Sequence, residues 1–302
     1  MLVLMGGPDA ERPVSISSGA EVAQALRESG RYEVVDLIID RPSVEKLDDL
    51  PGDVIFPVLH GQWGEGGPLQ ELLEEIGRPY VGSQPGPAAL AMDKLETKRV
   101  LAREGVKTPL AIEIGPQDHC RLDPPLVVKP VDDGSSVDIR ICRTHDDVVE
   151  ARRQLHPKRA RLMAEQYIAG RELTVGIVNG AVLPVIEIVP TVAFYDYEAK
   201  YDRDDTQYLL NPPLSPRVHR ECHAMSMIAW NRIGCRDVAR IDFRLDESDD
   251  LWFLEINTMP GFTTHSLVPM AAREIGIEMP ELCASLVEAA LARSKVGPAI
   301  AV

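Results

Sequence analysis

Along the first hundred residues, apolar runs alternate with amphipathic ones. Leu2–Met5, Glu33–Ile39 and Val54–Leu59 read as strands, and a helical pattern from about Ser17 to Glu28 separates the first two. A second helix is expected from Gly67-Pro68, with proline at its first position, to just before Gly77. Strand–helix alternation of this kind predicts an open parallel sheet covered on both faces. Ligands bind such sheets at the carboxyl ends of the strands, where the Gly6-Gly7 and His60–Gly67 loops fall.

The middle of the chain is patterned differently. A helix from Lys94 to about Arg103 ends at Gly105, and Asp123-Pro124-Pro125 leads into the apolar run Leu126-Val127-Val128-Lys129-Pro130. A glycine–serine loop at Gly134-Ser135-Ser136, a short strand at Ile139–Cys142 and a helix capped by Thr144 follow. Strands are expected at Arg161–Ile168 and Glu172–Val178, with Asn179-Gly180 as a type I′ hairpin signal into Ala181–Val189. The last third opens on a long polar loop, roughly Pro190 to Pro213. After it come a helix from Ser215-Pro216 to about Ile233, and the strands Ala239–Leu245 and Leu251–Asn257 facing each other across Asp246–Asp250. A Gly/Pro/Thr-rich loop, Thr258–Pro269, precedes terminal helices. The expected organisation is α/β with an α+β central unit, in three domains: 1–93, 94–180 and 181–302.

Composition narrows the function more than the fold. With 302 residues, 45% hydrophobic and 26% charged, each domain can bury a core, and disorder is excluded as the main state. No run approaches the ~20 apolar residues that a bilayer core demands. Met1 enters Leu2-Val3-Leu4-Met5 with no basic stretch before it, a buried strand rather than a signal peptide, so a cytoplasmic protein is expected. A net charge of −15 argues against nucleic acid and anionic membranes as partners. Five scattered cysteines without a CxxC pair predict free thiols.

The chemistry concentrates in the two facing strands. In Arg240-Ile241-Asp242-Phe243 the period of two puts Arg240 and Asp242 on one face, and Leu254-Glu255-Ile256-Asn257 does the same for Glu255 and Asn257. If the strands pair, two carboxylates and an amide oxygen converge, and burying like charges together costs several kcal/mol unless a cation neutralises them. A few hard oxygen ligands suit Mg²⁺. The alternative is a solvated face on which Arg240 pairs with one carboxylate. Lys94, Lys129 and Lys200 sit at element boundaries from which a side chain can reach a cleft. The loop Asp132–Val137 carries the ingredients of an anion-cradling nest, although it is neither a Walker A loop nor a GxGxxG fingerprint. His219 and His223 share a helix face, but HRECH lacks the HExxH glutamate spacing and reads as an exposed face rather than a zinc site.

Ordered blocks then run almost the length of the chain: Glu11-Arg12-Pro13-Val14-Ser15, His60-Gly61 with Gly64-Glu65, Met92-Asp93-Lys94, Val128-Lys129-Pro130, Gly134-Ser135-Ser136-Val137 and Gly170-Arg171-Glu172. They continue through FYDYEAKY (194–201), Arg240-Ile241-Asp242, Glu255-Ile256-Asn257-Thr258, Pro260-Gly261-Phe262-Thr263 and Ser266-Leu267-Val268-Pro269. Together they resemble the D-alanine–D-alanine ligases of the ATP-grasp superfamily. The resemblance implies a three-domain ATP-grasp fold, a homodimer, and ATP with two Mg²⁺ ions, Mn²⁺ serving as substitute. It implies that Lys94 and Lys129 bind the nucleotide, Glu165 meets the adenine amino group, Glu172 takes the ribose hydroxyls, and Lys200 with the Gly134–Val137 loop grips the γ-phosphate. Asp242, Glu255 and Asn257 become the metal ligands. Glu11 takes the ammonium of the first D-alanine with Ser135 and Tyr201 as partners, Arg240 and the Gly261 N–H stabilise an oxyanion, and Ser266 with the Leu267 N–H receives the second carboxylate. His60 orients or contacts substrate, and the loop after Pro190 is a candidate lid.

Two positions depart from the family pattern. Asp138 stands where glycine follows Gly-Ser-Ser-Val; its carboxylate would repel phosphates or forbid a glycine conformation, or else point harmlessly to solvent. Gly66-Gly67 replaces an Asp-Gly after Glu65, removing a charge near the first-substrate pocket. The alternatives to a dipeptide ligase are a ligase taking another second substrate, such as D-lactate, and a catalytically silent nucleotide-binding protein.

Overall fold

The structure, a computed structural model, describes residues 1–134, 138–189 and 206–294. Three sheets follow one another along the chain. In the first, β1 (Leu2–Gly6) is buried throughout and lies between β2 (Val35–Ile39) and β3 (Ile55–Pro57), parallel to both. Parallel neighbours need crossovers, which α1 (Arg12–Glu28) and α2 (Val44–Asp48) supply. The open parallel sheet expected from the alternation is present, and α1 starts earlier than its apolar period because Pro13 is tolerated in a first turn. The stretch 60–67, expected as loop, contains a helical turn, α3 (Gly61–Glu65), in which Glu65 Oε1 accepts the Gly61 N–H. After it come α4 (Pro68–Glu75), α5 (Pro85–Met92) and α6 (Lys94–Arg103).

The second sheet runs β4-β7-β5-β6, from β4 (Ala111–Ile114), β5 (Leu126–Pro130), β6 (Arg140–Cys142) and β7 (Leu162–Gln166), all neighbours antiparallel. Helix α7 (His145–Leu155) covers it; Thr144 Oγ1 accepts the Asp147 N–H while Asp147 Oδ2 accepts the Thr144 N–H, a reciprocal cap.

The third sheet, in order β10-β9-β8-β11-β12, comprises β8 (Arg171–Val178), β9 (Ala181–Val189), β10 (Gln207–Leu210), β11 (Val238–Leu245) and β12 (Leu251–Asn257). Helices α8 (Pro216–Ile233) and α9 (Leu267–Glu274) pack on it, and α10 (Met279–Ser294) packs on α9 and α1. Two expectations shift. The segment taken as polar loop to Pro213 contains β10, whose backbone completes the edge of β9. Residue 180 lies in the β8–β9 turn, with Asn179 and Gly180 both left-handed as a type I′ turn requires, so the change of sheet falls between Gln166 and Arg171 instead.

One apolar cluster joins β1 and α1 to Val178, Val238, Phe262, α9 and α10, so the first and last thirds share a core. The five cysteines are buried and free. Among the described residues no helix is long and apolar enough to cross a membrane.

Candidate active site

The β11–β12 pairing sets the register that matters. Asp242 lies opposite Glu255 and Arg240 opposite Asn257, with a bulge immediately after Asp242. The four side chains anticipated on one face are therefore neighbours. Arg240 and Asp242 are buried, whereas Glu255 and Asn257 are half-buried. The cations at the carboxylates are side chains. Arg240 forks onto Asp242, Nε to Oδ1 at 2.9 Å and Nη2 to Oδ2 at 2.7 Å, and Thr174 Oγ1 donates to Oδ1 at 2.6 Å. Lys94 Nζ stands 3.5 Å from Glu255 Oε2 and donates to the Asp133 carbonyl. The pairing of Arg240 with one carboxylate, considered as the alternative to metal binding, is thus present, but on a buried face rather than a solvated one. The donor set Asp242, Glu255 and Asn257 still fits a hard divalent cation: three oxygen-bearing side chains on one face, with Glu255 and Asn257 opening on the same small cavity as Lys94. Among the described residues no group of three or more His, Cys, Asp or Glu side chains gathers as a metal site.

Beside it opens a cleft lined by Lys129, Glu165, Glu172, Asp242 and Glu255. Its inner wall holds a charge network. Both Glu165 oxygens meet lysines, Oε1 with Lys98 at 2.6 Å and Oε2 with Lys129 at 2.8 Å, all three side chains buried. Burial alone would push the Glu165 carboxyl up, but Lys129 and Lys98 outweigh it and hold it low. Burial wins at Lys98, whose ammonium is pulled down to about 8 despite Glu165. Lys129 goes the other way: burial works against its charge, but Glu165, Glu255 and Glu172 together raise it. The lysine nearer the rest of the acids keeps the firmer hold on its proton.

A second cavity is lined by Glu65, Lys94, Gly134, Glu255 and Asn257, and Gly134 lies beside Glu11. Glu11 stands at the N-terminus of α1 (Arg12–Glu28), buried, and a Cβ on Gly134 would stand 3.0 Å from its Oε2, so the glycine loop passes tightly against it. Glu65, also buried, accepts the Gly61 and Met259 N–H groups, at 3.2 and 3.3 Å. Burial, and then the charge of Glu11, push its carboxyl up to about 8. His60 Nδ1 lies 3.0 Å from the Met259 carbonyl, which can only accept, so the proton sits on Nδ1. Gly261 packs on Ser266, whose Oγ accepts the Thr263 N–H at 2.9 Å, and Ser266 and Leu267 open α9. Phe262 and Thr264 N–H groups donate to Ser18 and Glu21, tying that loop to α1.

Of the residues singled out from sequence, the fold gathers Glu11, His60, Lys94, Lys129, Glu165, Glu172, Arg240, Asp242, Glu255 and Asn257 around these two cavities, with Gly261, Ser266 and Leu267 on the adjoining loop and helix start. Ser135, Lys200 and Tyr201, with the candidate lid and the FYDYEAKY block, lie outside the described residues. Asp138 does take a left-handed backbone, φ 60°, and its carboxylate is turned onto Arg159 at 2.8 Å, which also holds Asp133. It neither points to solvent nor stands alone. Sequence reasoning missed Lys98, Thr174, Arg244 and the buried acid pair of Glu65 with Glu11. The i, i+4 spacing from Lys94 could have placed Lys98 on the same helix face, and the period of two from Asp242 could have pointed to Arg244.

Comparisons with known proteins bear on the family. The family model "D-ala D-ala ligase C-terminus" matches residues 103–288, and "D-ala D-ala ligase N-terminus" matches 42–83. A D-alanine–D-alanine ligase of Bordetella petrii is 43% identical over 300 residues, spanning 95% of this chain and 91% of that protein. Among solved structures, the D-alanine–D-alanine ligase of Bacillus anthracis superposes with a TM-score of 0.85 at 31% identity, covering 98% of both chains; its complex with ATP gives 0.84 at 29%, with the same coverage. With both family models matched in order, and likeness of this extent from end to end, the chain belongs to the D-alanine–D-alanine ligase family, with its ATP-grasp fold.

Proposed function

We propose that the protein joins two D-alanine molecules into D-alanyl-D-alanine, for peptidoglycan precursors, converting ATP to ADP and phosphate. The observation that carries this is the meeting of the Asp242–Glu255–Asn257 face with Lys94 and with buried Glu11 around adjoining cavities. A phosphate donor and a small zwitterion can be held side by side there.

In this scheme Lys129, Glu165 and Glu172 line the nucleotide cleft, and Lys94 reaches toward the phosphates from the opposite cavity. Asp242, Glu255 and Asn257 would hold two Mg²⁺ ions, which when bound supply charge neutralisation to the phosphate oxygens. Glu11 takes the ammonium of the first D-alanine, whose carboxylate attacks the γ-phosphate to give an acylphosphate and ADP. The amine of the second D-alanine then attacks that carbonyl. Its carboxylate is received at the start of α9 by Ser266 and the Leu267 N–H, where a helix N-terminus favours an anion. Arg240, locked by its fork onto Asp242, and the Gly261 N–H are the donors toward the tetrahedral oxyanion, which collapses with loss of phosphate. Ser135, Tyr201 and Lys200 belong to the same scheme through the resemblance alone, as do a homodimer and a cytoplasmic setting.

The departure at Asp138 gives little support to a silent nucleotide-binding protein, because Arg159 neutralises that carboxylate. The test offers D-alanine and D-lactate together with ATP and Mg²⁺, following phosphate release and product identity. D-alanine-dependent release with the dipeptide predominant is expected. A predominant ester, or ATP binding without turnover, refutes the proposal.

A further inference from the structure

Arg244 follows Asp242 by two residues on β11 and lies opposite Glu172 on β8. Its guanidinium makes three bonds in three directions: Nη1 to Glu172 Oε2 at 3.1 Å, Nε to the Ile168 carbonyl at 3.2 Å and Nη2 to the Gly170 carbonyl at 2.8 Å. Arg244 and Glu172 are each about four-fifths withdrawn from solvent and both line the large cleft. The two carbonyls belong to the connector 167–170, where the chain leaves the second sheet at β7 and enters the third at β8. Only glycine lets the connector pass so close to β11: Gly170 has φ +134°, and a Cβ there would meet the Leu245 carbonyl at 2.1 Å. Gln166, Tyr167 and Ile168 form the cleft wall on this stretch. A single planar fork therefore fixes both the cleft's backbone edge and the carboxylate facing into it, a geometry that an ammonium cannot reproduce.

We infer that Arg244 is a positioning residue for nucleotide recognition, setting the Glu172 carboxylate and the Ile168–Gly170 edge so that the site selects a nucleoside triphosphate with a complete ribose diol. The inference deepens the proposed function and rests on its placement of the ribose at Glu172. A carboxylate accepts two hydroxyls only when its plane is fixed; freed to rotate, it loses the advantage of a diol over a deoxyribose. Arg244 does not face the Glu11 cavity, so the D-alanine steps are not its concern.

The test titrates the full-length protein calorimetrically with ATP and with 2′-deoxyATP, for wild type, Arg244→Met and Arg244→Lys, each checked for its unfolding temperature. The wild type should prefer ATP. Arg244→Met should weaken ATP on the order of tenfold while weakening 2′-deoxyATP no more than about twofold, so the preference collapses. Arg244→Lys, which keeps the charge and guards against a fold lost in the methionine variant, should behave like Arg244→Met. In turnover, KM for ATP should rise while kcat and KM for D-alanine hold. A preference that survives in both variants, ATP and 2′-deoxyATP weakened alike, or a wild type indifferent to the 2′-hydroxyl each overturns the inference. Because binding is read without D-alanine, a protein that discriminates the two nucleotides yet makes no dipeptide would refute the proposed function and leave this role standing.

Discussion

Glu65 should make stability fall as pH rises, and replacing it by glutamine should remove that fall. Its carboxyl is pushed from an ordinary 4.5 up to about 8 by burial and by Glu11. The folded protein therefore keeps this proton over a range in which the unfolded chain has released it. With the folded value above the unfolded one, the stabilising contribution is fully present below pH 4.5 and lost progressively as pH climbs to about 8. At about 1.4 kcal/mol for each pH unit, roughly 3 kcal/mol is gone by pH 7 and about 4 by pH 8. Glutamine carries no charge to bury, but its amide can accept from only one of the Gly61 and Met259 N–H groups and must turn its own NH₂ toward the other. That mismatch costs about 1–3 kcal/mol at every pH. Glu65→Gln should accordingly be the less stable protein at pH 5 and the more stable at pH 8.5, with the curves crossing near pH 6. Urea unfolding free energies of the two proteins, measured at half-unit steps from pH 5 to 8.5, give the difference with all other groups cancelled. A difference that does not change with pH would show that Glu65 ionises normally, and the account of the acid pair would be wrong.

Other outcomes follow from single contacts. Glu255→Ala should abolish D-alanine-dependent phosphate release while leaving the unfolding temperature within a few degrees; retained turnover would refute its place among the metal ligands. Lys98→Met leaves Glu165 with one lysine in a buried site and should cost about 3–5 kcal/mol in chemical unfolding, a loss below 1 kcal/mol contradicting the network. Asp138→Gly relieves a left-handed backbone worth about 1 kcal/mol and gives up a partly screened ion pair of similar size, so stability and phosphate release should both stay near wild type; a tenfold loss of rate would show that the Arg159 contact organises the loop.

The fold and much of the site were legible wherever a local period settles the question. The apolar run of β1 and the alternation around it announced a parallel sheet, and the period of two in Arg240–Phe243 and Leu254–Asn257 placed the right side chains on one face before any pairing was known. What escaped was set by partners far away in the chain. Glu65 looks like one more acid in a glycine-rich loop until Met259, 194 residues on, donates to it and Glu11 is packed nearby. Lys98 reads as part of a solvated helix face until Glu165 and the Phe253 carbonyl close over it. Asp138 reads as a liability because its compensating cation, Arg159, comes 21 residues further along the chain. Periodicity assigns a face; it does not say which cation will face which carboxylate.

The hydrogen bonds at Asp242 show why this distinction bears on the chemistry. A carboxylate offers about four lone-pair directions. Oδ1 receives both Arg240 Nε and Thr174 Oγ1, and Oδ2 receives Arg240 Nη2. Arg240 Nε also reaches Oδ2 at 3.2 Å, so most of the lone-pair directions of Asp242 are used, whereas Glu255 meets Lys94 at 3.5 Å and lines the cavity shared with Asn257. Asp242 thereby holds the Arg240 guanidinium at the cleft, and in the proposed scheme Glu255 and Asn257 would carry more of the grip on a divalent ion. Removing Glu255 is for this reason the sharper test of metal binding, since loss at Asp242 would also release Arg240 and confound charge neutralisation with oxyanion positioning.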